Sequence, residues 1–71
     1  MKFKVGDLVV LSAAGERLNQ NDHAVGGWGI ITEIGLSYAN FPLMVEWYGG
    51  SQETTLIRFK PYELKYFKKL P

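Results

Sequence analysis

The side chains best suited to chemistry in this chain are cations and aromatic rings close together near its C-terminal end. Arg58, Lys60, Lys65, Lys68 and Lys69 fall within residues 56–71, with Phe59, Tyr62, Tyr66 and Phe67 interleaved among them. Cations in such a cluster neutralise phosphates, and rings between them offer faces on which bases stack. Arg58, Lys60 and Lys65 are therefore the candidate phosphate contacts, and Tyr48 and Tyr62 the candidate stacking residues. The competing reading of the same residues is a lysine-protected edge strand whose charge keeps it soluble.

Bond-breaking chemistry finds little support. His23 is the only histidine and stands beside Asp22, but Ser12, Ser37 and Ser51 form no nucleophile–base pattern with it. Gly26-x-x-Gly29 is not a phosphate loop, because no Lys-Ser/Thr follows and the next residues read as a strand. The chain has no cysteine, which removes disulfides and thiolate metal sites, and a single histidine cannot build a histidine cage. The expectation is a non-enzymatic protein with no cofactor and no metal.

The elements that would position these residues follow from alternation and glycine punctuation. Val5, Val9 and Leu11 share one side of a first strand, with Leu8 and Val10 on the other, and Gly6-Asp7 suggests a turn or bulge feeding it. Residues 12–27 are polar and long for a loop in a small domain, with room for one helical turn around Ala14–Leu18. Within them, Asn19-Gln20-Asn21-Asp22-His23 reads as a turn-rich loop, with hydrogen bonding to base edges as its functional alternative.

Trp28–Ile34 is the second strand. Trp28, Ile30 and Ile34 alternate on one face and Ile31 lies on the other, so both faces are apolar. In the third strand Leu43, Val45 and Trp47 face the core, while Met44, Glu46 and Tyr48 face away. Gly49-Gly50 reads as a tight turn requiring positive φ. Glu53–Phe59 is the fourth strand, Lys60–Leu64 a proline-started 3₁₀ turn, and Lys65–Leu70 a short fifth strand. Five short strands in this order predict an all-β fold: a single-domain, strongly bent, five-stranded SH3-like or Sm-like barrel spanning residues 1–71.

Composition sets the bounds. The chain has 71 residues, 46% of them hydrophobic and 14% aromatic. A domain of this size buries only about 60% of its unfolded surface, so self-association is an expected source of further burial. The net charge of +1 conceals an asymmetry. Residues 5–55 set Arg17 against Asp7, Glu16, Asp22, Glu33, Glu46 and Glu53, a net of −5, whereas residues 56–71 carry a net of +4. No apolar run is long enough to span a membrane, and the first residues lack a signal-peptide pattern, so cytoplasmic residence is expected.

Val5-Gly6-Asp7-Leu8-Val9 followed by Gly26-x-x-Gly29-x-Ile31 resembles the opening of many small SH3-like barrels, including KOW-type nucleic-acid modules. From Val5-Gly6-Asp7 to Tyr62-Glu63-Leu64 the chain is also similar to short Sm-like barrel proteins of marine tailed phages (cyanophage) and ocean metagenomes. Ile57-Arg58 matches the first two positions of the Sm-like aliphatic-basic-glycine run, with Phe59 in place of the glycine. The resemblance implies a homo-oligomeric closed ring of roughly five to seven subunits that binds RNA or single-stranded DNA, in the cytoplasm of a host cell if the chain is phage-encoded. The alternative is a protein–protein adaptor or structural assembly module of a phage. A third reading, an aromatic cage for a methylated lysine, would need exposed rings beside an acid such as Glu46.

Overall fold

A computed structural model describes residues 3–35, 41–51 and 55–67. Five antiparallel strands form one sheet: β1 (Leu8–Leu11), β2 (Trp28–Ile34), β3 (Leu43–Tyr48), β4 (Thr55–Phe59) and β5 (Leu64–Tyr66). Their order in the sheet is β4-β3-β2-β1-β5, so β5 returns across the molecule to pair with β1 and the strand order is SH3-like. The sheet wraps around one core, giving the small, barrel-like all-β fold that the strand pattern predicts.

The core comes from one side of each strand. Val9 and Leu11 of β1, Ile31 of β2, Leu43, Val45 and Trp47 of β3, Phe59 of β4 and Leu64 of β5 are buried, together with Ala24. Trp47 and Phe59 meet at 5.3 Å between ring centroids, tilted by 47°. The buried Trp47 indole needs a hydrogen-bond acceptor, and its Nε1–H donates to the Ala24 carbonyl at 3.1 Å.

Two expectations about side-chain faces are corrected by backbone irregularities. Val5 does not share the core side of β1; it is 62% exposed, because Val5 and Gly6 are the central residues of a turn that Asp7 N–H closes on the Lys4 carbonyl before β1 begins. That turn is anchored on β2, where Gly6 N–H donates to the Ile31 carbonyl and Ile31 N–H to the Asp7 carbonyl. Ile34 does not share a face with Trp28 and Ile30. The β2–β3 register shifts between Ile31 and Glu33, inserting one extra residue, and Ile34 then lies opposite Leu43 and packs against the core. A bulge of this kind exchanges the two faces of a strand and sharpens its bend.

The polar residues after β1 are more ordered than a loop. Ser12 caps a four-residue helix α1 (Ala13–Glu16), its Oγ accepting the Gly15 N–H at 3.0 Å. A six-residue 3₁₀ segment (Asn19–Ala24) follows. Gly49 and Gly50 both take positive φ, +82° and +68°, as a tight turn after β3 demands. A 3₁₀ turn (Pro61–Glu63) precedes β5, as expected. β5 begins at Leu64, one residue earlier than its pattern suggests, and its expected continuation through Lys68–Leu70 lies outside the described residues. Glu53 and Thr54, expected to open β4, lie outside them as well.

Candidate binding surfaces

The five candidate residues do not form one site. Lys60 and Tyr62 are brought together: the Lys60 Nζ lies 6.0 Å from the centroid of the Tyr62 ring and 5.2 Å from that of Phe41. Lys60 is half-buried, while Tyr62 is 55% exposed. Arg58 is half-buried two residues upstream, opposite Met44. Lys65 is exposed opposite Val10 on β5, the other edge strand. Tyr48 lies at the opposite end of β3 from this group, four residues or about 13 Å along the strand from Met44. Lys68 and Lys69 lie outside the described residues.

The basic aromatic end is held by polar residues outside the five candidates, Glu63, Asn21 and Ser12. Glu63 is 1% exposed, and each oxygen of its carboxylate accepts a hydrogen bond. Oε2 accepts the Lys60 backbone N–H at 2.7 Å, and Oε1 accepts from Asn21 Nδ2 at 2.9 Å. Asn21 Nδ2 also donates to the Gly15 carbonyl at 3.0 Å. Ser12 adds two bonds, its N–H to the Glu63 carbonyl at 2.8 Å and its Oγ to the Tyr62 carbonyl at 2.6 Å. α1 packs so closely here that a Cβ on Gly15 would run into the Glu63 carbonyl. A buried carboxylate is stable only when its oxygens are satisfied, and these bonds supply that. Their consequence is positional: they fix the backbone that carries Lys60 and Tyr62.

Asn21 thereby leaves the set of residues available to bases. It is buried with its amide committed, whereas Asn19, Gln20 and Asp22 remain exposed and His23 is half-buried. The signal that could have found Glu63 was its place as the only acid in the basic third, three residues after Lys60 in a proline-started turn. At that position a side chain reaches back to the backbone N–H that opens the turn.

A second aromatic group occupies the other end of β3. Trp28 and Tyr48 are cross-strand partners, and their rings stack at 4.8 Å with an interplanar angle of 25°. The Tyr48 O–H donates to Glu46 Oε1 at 2.6 Å. That bond to a carboxylate holds the phenol above its ordinary pKa, with desolvation and the Glu46 charge adding to the shift. Trp28 is 36% exposed and Tyr48 half-buried. The expected core assignment of Trp47 and outward assignment of Tyr48 both hold.

The β5 edge carries a third feature, a groove of about 540 Å³ lined by Val10, Lys65, Tyr66 and Phe67. The Phe3 ring packs against Tyr66, one of its lining residues, at 4.9 Å between centroids. Among the described residues there is no cluster of three or more metal-ligating side chains. Among them, too, no helix is long and apolar enough to cross a membrane. Comparison with protein-family models, curated proteins and solved structures finds no match for this chain.

Proposed function

We propose that this protein is a non-enzymatic barrel that binds RNA or single-stranded DNA at its basic aromatic end and self-assembles into a closed ring through its edge strands. The observation that carries the nucleic-acid reading is the Lys60 ammonium set between the Phe41 and Tyr62 rings. A phosphate met by Lys60 brings its base beside the exposed Tyr62 face, where stacking contributes about 1–3 kcal/mol per base. Arg58 and Lys65 extend the positive charge along the two edge strands. Such contacts follow the backbone of a strand and read little sequence.

The ring reading rests on the sheet order, which among the described residues leaves β4 and β5 each paired on one side only. β4 presents Leu56 at 59% exposure, and β5 borders the groove of Val10, Tyr66 and Phe67. Two unlike edges on one chain pair head to tail, and such contacts close into rings when the rotation permits.

Fluorescence anisotropy of labelled oligo-uridine and oligo-thymidine at ~50 and ~200 mM salt tests the first half. Phosphate contacts produce a steep loss of affinity between those concentrations. No binding at the lower salt overturns the nucleic-acid reading. Light scattering tests the second half, and a monomeric mass at micromolar concentration overturns the ring.

One observation favours the adaptor reading instead. Leu8, Trp28 and Leu56 are large apolar side chains exposed on the outside of the sheet. A salt-insensitive protein complex with no oligonucleotide affinity is the result that reading expects.

A further inference from the structure

The Trp28–Tyr48 stack differs from a base-stacking platform in one respect: a carboxylate is built into it. Glu46 is half-buried on the outer face of β3, with Ile30 of β2 and Leu56 of β4 as its cross-strand neighbours. Its Oε1 is committed to the Tyr48 O–H, and its Oε2 accepts no hydrogen bond among the described residues. A phosphate strand drawn across these rings would meet that negative charge in a partly desolvated setting, where repulsion is weakly screened. A cation would meet attraction from both the carboxylate and the ring faces.

We propose that Trp28, Tyr48 and Glu46 form a ledge that binds an arginine side chain from a basic segment of a partner protein. Three observations choose this occupant. The charge is complementary, since residues 5–55, which include the ledge, carry a net of −5. The rings are stacked nearly parallel, at 25°, and so do not splay into a cage around a ligand. A methylated ammonium is held by rings set around it as a cage, whereas a planar guanidinium stacks on a flat face and directs its N–H fork sideways to a carboxylate. Finally, Ile30 and the exposed Leu56 beside Glu46 supply an apolar strip for the alkyl stem of such a side chain. The ledge is separate from the Lys60–Tyr62 group, so this inference does not rest on the nucleic-acid reading. It removes Tyr48 from the residues assigned there.

The test uses an acetylated, amidated Gly-Arg-Gly-Arg-Gly peptide and its citrulline counterpart, which has nearly the same shape without the charge. Binding is followed by ¹H–¹⁵N spectra of the whole protein. The Trp28 indole N–H reports the ledge, and the buried indole of Trp47, bonded to the Ala24 carbonyl, serves as internal control. The arginine peptide is expected to shift Trp28 and leave Trp47 in place, and the citrulline peptide to bind roughly tenfold more weakly. Glu46→Gln should weaken the arginine peptide by a similar factor. Trp28→Leu, which alters an exposed position, should also weaken it, read from the Gly29 and Tyr48 amide signals, and carries the test if Glu46→Gln fails to fold. Equal binding of the two peptides overturns the proposal, as does an absence of shifts at Trp28. Trp28 shifts produced by oligo-uridine but not by the arginine peptide overturn it too and return the stack to nucleic acid.

Discussion

The two ends of β3 are built from the same kinds of ring and differ in the charge placed among them. At the β2–β3 end, Trp28 and Tyr48 stack beside the Glu46 carboxylate. At the 3₁₀ end, Phe41 and Tyr62 flank the Lys60 ammonium. Ring faces attract cations and tolerate bases, so the rings alone do not select between a basic peptide and a nucleic acid. The ionised group beside them makes that choice. The ends also differ in support. The acidic ledge sits on paired strands whose register alone places Trp28 opposite Tyr48. The basic end sits on a short turn held by the buried Glu63 carboxylate and by two bonds from Ser12.

That difference in support predicts the largest effect. Glu63→Ala removes the acceptor of the part-buried Lys60 N–H and one of the two acceptors of the buried Asn21 Nδ2, which keeps the Gly15 carbonyl, at a cost of about 2 kcal/mol by urea denaturation. Stability on that scale is a large share of what a small domain has. The conformational consequence is expected to be local to the basic end: Lys60 and Tyr62 amide signals move, while the Trp28 indole signal stays. Equal disturbance at both ends would show that the supports are not independent.

Lys60→Glu sharpens the comparison at the level of charge. It should lower oligo-uridine affinity at ~50 mM salt by more than tenfold and flatten the salt dependence by about one ion. Glu46→Gln should leave that affinity unchanged or raise it. If both substitutions weaken the oligonucleotide alike, the ends form one surface and the distinction fails.

The Trp28–Tyr48 stack predicts a smaller quantity. A double-mutant cycle with Trp28→Leu and Tyr48→Leu should give a coupling of about 0.5–1.5 kcal/mol. Coupling indistinguishable from zero would mean that the stack is incidental to the register.

The smallest effect is in alkali. The Tyr48 phenol is held above its ordinary pKa by Glu46, so the folded state keeps that proton longer than the unfolded chain does. The stability this contributes is fully present below the ordinary tyrosine range and is lost as pH rises through the elevated value. Tyrosinate absorbance of the Tyr48→Phe variant should therefore lack a tyrosine that titrates above the ordinary tyrosine range in the wild type. The stability difference between the two proteins should shrink in strong alkali.

Local pattern was enough for the strands, the turn after β3 and the 3₁₀ turn. Each depends on neighbours within a few residues: alternation in Leu43–Tyr48, two glycines taking positive φ, a proline opening Pro61–Glu63. The inward placement of Trp47 followed from the same alternation. Charge asymmetry between residues 5–55 and 56–71 was likewise plain in composition.

What alternation could not supply was anything set by residues distant in the chain. The bulge after Ile31 turns Ile34 inward because β3 holds the register on the other side. Asn21 and Glu63 stand 42 residues apart and matter only once the Asn19–Ala24 segment and the Pro61–Glu63 turn pack together. Tyr48 and Tyr62 look equivalent as exposed rings, and folding separates them by giving one a carboxylate and the other an ammonium. Hydrophobic periodicity reports which face of an element meets the core. It carries no information about which polar groups meet one another, because those meetings depend on how the elements are docked in three dimensions.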